Sequence, residues 1–250
     1  MSEEQDRHSG ALDAELIADP EERAKREARN GLKQFDAVIE LIEYFSEPQR
    51  KFKLRPSHLL HLHRTALDGI SSYAGNFRPA GTSIGGSKHE PMGAHLVPGA
   101  IEEMCDYVNE EWERNTPIHL AAYALWKLNW IHPFTDGNGR TARALSYLLL
   151  CLRLGYRIPG TDTIPDQISK DKSPYYKALE AADQAWAAEK IDLSVLEEYV
   201  GDLLAIQLLS VHQAATGGRE KKTVNGPVGS PLLANVREEL SHVYAWQLPS

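Results

Sequence analysis

The sequence predicts a mainly all-α protein, a compact helical bundle carrying one small β-hairpin. Apolar residues recur at three- and four-residue steps through most of the chain, and proline or acidic residues open several of these runs. Only residues 73–100 break the pattern, with repeated Gly and Pro around short extended stretches. With 250 residues and 42% hydrophobic content, the chain can bury a substantial core. It is read as one domain over residues 21–215 including an N-terminal helical extension. A mobile tail precedes it over 1–20; a linker over 216–230 and a short helical segment over 231–250 follow.

The first helix starts at Pro20, where acidic residues follow the proline, and carries Leu32, Phe35, Val38, Ile39 and Ile42 on one face, with Gly31 as a weak point. A second starts at Pro56 and Ser57 and buries Leu59, Leu60, Leu62, Leu67 and Ile70. Its His58, His61 and His63 are spaced by three and two, so they cannot all face one ion from a helix. In the irregular region, Thr82–Ile84 and His95–Val97 suggest a small β-hairpin or a structured loop. Ile101, Met104, Cys105, Val108 and Trp112 mark the next helix, and PIHLAAYALWKLNWIH the most apolar one, whose Tyr123, Trp126 and Trp130 read as core. After a helix over TARALSYLLLCLRL, residues 155–169 read as a connection. Ser173 then caps a helix with Pro174 at its first position, and a final helix carries Leu193, Leu196, Val200, Leu203, Leu204 and Leu208.

Charge and composition exclude some functions. A net charge of −8 argues against non-specific nucleic-acid binding, which needs a basic surface. Cys105 and Cys151, the only cysteines, both lie in apolar helical patterns and suggest neither a disulfide framework nor a zinc site. No run approaches the roughly 20 apolar residues of a membrane span, and the acidic start lacks a signal segment, so a cytoplasmic protein is expected.

Chemistry concentrates in IHPFTDGNGRTAR, residues 131–143. Gly137 and Gly139 let the backbone turn sharply so that N–H groups converge on an anion. The helix that follows adds its unpaired N–H groups and the positive end of its dipole. Arg140 and Arg143, about one turn apart, add fork-shaped contacts to phosphate. Asp136, acidic in an anion-seeking site, suits a hard divalent cation bridging phosphates. His132 is placed as a general base. A Gly/Asn/Asp cluster between helices also serves as a plain turn, but a turn alone explains neither the paired arginines nor the histidine and carboxylate beside them.

HPFTDGNGRTAR resembles the signature of the Fic domain family, His-Pro-Phe-x-(Asp or Glu)-Gly-Asn-(Gly or Lys)-Arg with a second arginine beyond, at every defined position. The resemblance implies a helical bundle that transfers AMP from ATP, with Mg²⁺, to a hydroxyl side chain of a target protein. It implies His132 as the base, Phe134 as the loop's apolar anchor and Asp136 as the Mg²⁺ ligand. Gly137, Asn138 and Gly139 then form the anion hole, and Arg140 and Arg143 meet the outer phosphates. Gly75, Asn76, Phe77 and Arg78 resemble the segment preceding the family's flap, so the target protein is expected along residues 80–97. Tyr176 resembles a nucleoside contact. Asp183 stands where the family often has asparagine, which leaves the donor base open. Glycine rather than lysine at position 139 favours AMP over phosphate transfer; other nucleotides, AMP removal and a silent nucleotide-binding regulator are the alternatives.

Many members of that family carry an inhibitory motif, Ser or Thr, three residues, Glu, then Gly or Asn, whose glutamate pairs with the second signature arginine. No clean copy is present. Glu27 comes nearest, with Arg23 in place of the hydroxyl residue and Ala28 after it, and is read as structural. Restraint is then expected from a separate antitoxin-like protein or a different contact, or is absent. The terminal segment, through Leu233, Val236, Leu240 and Trp246, is a candidate for docking on the domain or on another subunit.

Overall fold

The structure, a computed structural model, describes residues 16–215; the expected linker, the C-terminal helical segment and residues 1–15 of the expected tail lie outside them. Eight α-helices are present among the described residues: α1 (Pro20–Phe45), α2 (Pro56–Leu67), α3 (Val97–Glu110), α4 (Pro117–Ile131), α5 (Asn138–Leu154), α6 (Ile164–Lys170), α7 (Ser173–Ala187) and α8 (Ser194–Ala215). The mainly helical prediction is met.

α4 and α5 form the central pair and pack most extensively on each other. Their composition explains this, since Leu120–Leu128 of α4 and Ala144–Cys151 of α5 are buried on every face, as a helix apolar all round requires. α1 lies across α2 and α5, α3 packs on α4, and α8 closes the far side against α4, α6 and α7. α1 begins with the Asp19 carboxylate accepting from the Glu21 N–H at 2.9 Å, and Glu21 and Glu22 favour its dipole. It runs through Gly31 without a break.

Two buried amides fix α1 against α2. Asn30 Nδ2 donates to the carbonyls of Ala66 at 3.2 Å and Asp68 at 2.8 Å, and Gln34 Nε2 donates to that of Leu62 at 3.0 Å. The last carbonyls of a helix lack intrahelical donors, so the Asn30 bonds satisfy the end of α2, and the Gln34 bond to Leu62 adds a tie one turn earlier.

Three local expectations are corrected. The hairpin does not form as two strands: among the described residues 79–93 is an irregular loop with a single bridge residue at Ile84, and His95 and Val97 lie in a 3₁₀ turn (Ala94–Leu96) and the start of α3. Pro79 and Pro91 cannot donate to a ladder, and Gly81, Gly85 and Gly86 weaken one. Side chains hold the loop instead, as described below. The connection over 155–169 contains α6, which the Thr163 hydroxyl caps by accepting from the Asp166 N–H at 3.4 Å. Ser173 is the first residue of α7 rather than its cap; Lys172 holds the cap position without a side-chain bond, and the Asp171 carboxylate accepts from the Ser173 N–H at 3.0 Å.

Candidate active site

The signature occupies the turn from α4 into α5, and its geometry begins with a strained residue. His132 ends α4 in the left-handed region with φ 50°, a conformation that costs a non-glycine residue about 1–2 kcal/mol. Hydrogen bonds hold it there. Its N–H donates to Leu128 O at 2.9 Å, and its carbonyl accepts from Arg78 Nε at 2.8 Å. The same guanidinium donates to Ala80 O and Met92 O, while the Arg78 N–H donates to Pro133 O at 2.8 Å. One buried arginine therefore fixes both the His132 backbone and the two ends of the loop over 79–93.

Phe134, fully buried, stacks on His63 with ring centres 3.7 Å apart and planes 4° apart. His63 Nδ1 accepts from the Gly75 N–H at 3.0 Å, so its proton sits on Nε2, which donates to Asp136 O at 3.0 Å. The Asn138 amide closes the turn by accepting from Phe134 N–H and donating to Phe134 O, both at 2.9 Å. The Asn138 side chain thus shapes the loop. Gly137, at φ 76°, has no room for a Cβ, which would lie 2.4 Å from Leu67 Cδ2. No side chain caps the N-terminus of α5, which suits its first turn to an anion.

The titratable groups are set by these contacts. His132 Nδ1 lies 3.3 Å from the Asn129 carbonyl, which can only accept, so Nδ1 carries the proton and Nε2 keeps its lone pair. Burial pushes the imidazole down to about 4; the Asn129 contact opposes this, and Arg78 and His89 add to it. Burial would by itself raise the Asp136 carboxyl. Arg140, the Gly137 N–H and Arg23 overcome that and hold it below its ordinary value. Asp136 Oδ2 accepts from Arg140 Nη2 at 2.9 Å and Arg23 Nη2 at 3.3 Å, while Oδ1 accepts from the Gly137 N–H.

These groups face a cavity of about 570 Å³. Arg140, Arg143, Lys172, Gly137, Asn138 and Gly139 line it, as do Trp126, Tyr175, Tyr176, Leu179 and Asp183. Ile84, Ser87 and His89 reach it from the irregular loop.

Residues 53–150 match the model of the Fic/DOC family. That segment belongs to the Fic/DOC family. A protein adenylyltransferase Fic from Drosophila willistoni is 36% identical over 137 residues, 54% of this chain and 26% of that protein. A protein adenylyltransferase fic-1 from Caenorhabditis briggsae is 32% identical over 123 residues, 48% of this chain and 24% of its own length. The chain thus spans about a quarter of the curated relatives it matches. A Fic-1 fragment from C. elegans has the same fold, with a TM-score of 0.60 and 25% identity over 80% of this chain and 55% of the fragment. A Fic domain-containing signaling protein from Bacteroides thetaiotaomicron gives 0.61 and 24% over 78% and 76%.

Within this Fic fold every residue assigned from the sequence except Phe134 lines the one cavity; Phe134 lies beneath it in the core. Asp183 sits at the cavity edge and accepts from Trp126 Nε1 at 2.8 Å, so Trp126 serves the site as well as the core. Asn129 Nδ2 likewise donates to the Tyr175 hydroxyl at 2.8 Å. Glu27 also lines the cavity, a place its reading as a structural residue did not anticipate. Its Oε1 lies 3.2 Å from Arg23 Nε and 3.6 Å from Arg140 Nη1, the first signature arginine. Sequence reasoning missed His63 as a support of the loop, because its place in a run of three histidines pointed only to metal. It also missed Arg23 as a group of the cavity, having met it only in place of the inhibitory motif's hydroxyl residue.

Proposed function

We propose that this chain is a protein adenylyltransferase that moves AMP from ATP to a Ser, Thr or Tyr hydroxyl of a target protein. The observation that carries the reading is a buried, neutral histidine, its Nδ1 turned to the Asn129 carbonyl, lining the same cavity as the start of a helix that bears two arginines. The names of the relatives support the same reaction.

The polyphosphate takes the α5 end of the cavity, where backbone N–H groups, Arg140 and Arg143 meet its charge. The nucleoside takes the Tyr176 and Asp183 end. The target's hydroxyl enters beneath the loop over 79–93. His132 Nε2 accepts the hydroxyl proton as that oxygen bonds to the α-phosphorus, and the bond to the bridging oxygen breaks to release pyrophosphate. The Nδ1 contact with Asn129 O then stabilises the imidazolium. Arg140 and Arg143 hold the departing phosphates in line.

Asp136 fits a magnesium ion delivered with the nucleotide. Its carboxylate is partly open to the cavity, and magnesium commonly uses one or two protein carboxylates with phosphate and water for the rest. No cluster of three His, Cys, Asp or Glu suited to a metal occurs among the described residues, which matches that mode rather than an all-protein cage. When bound, the ion would neutralise phosphate charge.

Among the described residues no helix is long and apolar enough to cross a membrane, and a cytoplasmic setting with a protein target suits this reading. Incubation with a cell lysate and ATP labelled at the α or the γ phosphate tests it. Label from the α position should stay on protein, and His132→Ala should abolish it. Retention of label from the γ position alone would overturn AMP transfer.

A further inference from the structure

The matched family segment begins at residue 53, yet α1 sends a guanidinium into the phosphate end of the cavity. Arg23 Nη2 and Arg140 Nη2 approach the same oxygen, Asp136 Oδ2, at 3.3 and 2.9 Å. Arg23 Nε also meets Glu27 Oε1 at 3.2 Å, and Glu27 in turn meets Arg140. Two arginines from distant parts of the chain are therefore interleaved with two carboxylates beside the start of α5. The Arg23 side chain is 27% exposed and the Arg140 side chain 26%, so both are partly desolvated and both face the cavity.

We infer that Arg23 is a third phosphate-binding arginine, supplied by the N-terminal helix and specific for the outer phosphates of the nucleotide. The inference rests on the nucleotide-transferase reading of the cavity. Its physical basis is the shared oxygen. A group close enough to Asp136 to bond Oδ2 beside Arg140 is close enough to meet a phosphate that Arg140 also meets. A guanidinium fork donates to two phosphate oxygens as readily as to two carboxylates. Before the nucleotide enters, Asp136 and Glu27 hold the fork in position, which lowers the ordering cost of binding. The four cations lining the cavity, Arg23, Arg140, Arg143 and Lys172, outnumber its carboxylates Glu27, Asp136 and Asp183, so the site as a whole favours an added anion. The alternative role for Arg23 is a counter-ion that only neutralises Glu27.

Calorimetric titration with ATP and with AMP, each with Mg²⁺, separates the two roles. The full chain is compared with Arg23→Ala, Arg23→Lys, Glu27→Ala and the Arg23→Ala/Glu27→Ala double variant. Arg23→Ala should weaken ATP binding about tenfold, the loss of one charge-assisted contact, and change AMP binding less than twofold. Arg23→Lys should fall between, because it keeps the charge and loses the fork. The same roughly tenfold loss should separate the double variant from Glu27→Ala. If the double variant binds ATP as tightly as Glu27→Ala, Arg23 acts only on Glu27 and the inference is overturned. Equal losses for ATP and AMP would overturn it too, by showing a general disturbance of the site. Failure of the unmodified chain to bind either nucleotide would instead defeat the nucleotide reading, and the inference with it.

Discussion

His132 carries the clearest consequence at the scale of single residues. Burial holds its pKa near 4, below the 6.5 of a free imidazole, so it is neutral and able to accept a proton across the physiological range. The transfer rate should stay level from pH 8 to 5 on this account and fall only as pH approaches 4, where an exposed histidine base would already fail near 6.5. A rate profile on one target, with binding checked separately, measures this. Stability follows the same shift: between pH 6.5 and 4 the unfolded chain takes up a proton that the native one excludes. The contribution is full above 6.5 and is lost as pH falls toward 4, on the order of 3 kcal/mol. His132→Ala should therefore flatten the drop in urea midpoint between pH 7 and 5; an unchanged drop would assign the effect to other groups. Gly137→Ala is a second residue-scale test, because it meets Leu67 and forces an alanine to φ 76°. It should cost roughly 1–3 kcal/mol of stability, read from denaturant midpoints, and weaken ATP binding. That His132, Asp136 and both arginines come together was legible in the sequence because they fall within one short run, and all four line the same cavity. The supports of the loop were not: His63 acts across 73 positions on Asp136, and no local pattern records such a pairing.

At the scale of elements, the loop over 79–93 shows why strand signals failed. The expected strands had short extended stretches on each side, but its prolines and glycines could not maintain a ladder, and Arg78 supplies the cohesion instead. His89 adds a second tether, with Nε2 donating to the Trp130 carbonyl at 2.7 Å and its ring stacked on the indole. Both tethers end on the backbone at the end of α4, so the loop and His132 are mechanically one unit. Arg78→Lys should remove at least one of three carbonyl contacts and let His132 relax from its left-handed conformation. The expected outcome is a fall in kcat of about tenfold or more with a much smaller change in ATP affinity. A change confined to ATP affinity would show that Arg78 serves the nucleotide instead. Helices were legible where periodicity ran for several turns; α6, at seven residues, is too short for a period to stand out from the Gly- and Pro-containing connection around it.

At the scale of the whole molecule, the family segment and the folding unit differ in extent. Residues 53–150 contain the signature, α2, α3, α4 and most of α5, yet the core they face is completed from outside. Val38 and Ile42 of α1, Tyr175 of α7, and Leu196 and Val200 of α8 are each almost wholly buried in the same cluster as the central pair. Burying one such side chain contributes about 1.5–3 kcal/mol, and a domain's net stability is about 5–15 kcal/mol, so removing all five leaves no margin. The Asn30 and Gln34 bonds to the end of α2 are lost as well. The site loses Arg23, Glu27, Tyr176 and Asp183, since all four lie outside the matched segment. A fragment of residues 53–150 should therefore show helical far-ultraviolet dichroism without a cooperative urea transition. It should also give no calorimetric ATP signal at concentrations that saturate the full chain. Extending it to residues 16–215 should restore both, because that span includes the capped start of α1 and the helix that brings Tyr176 and Asp183 to the cavity. A cooperative transition in the short fragment would show that α4 and α5 need no cover from α1, α7 and α8, and that the matched segment is by itself a folding domain.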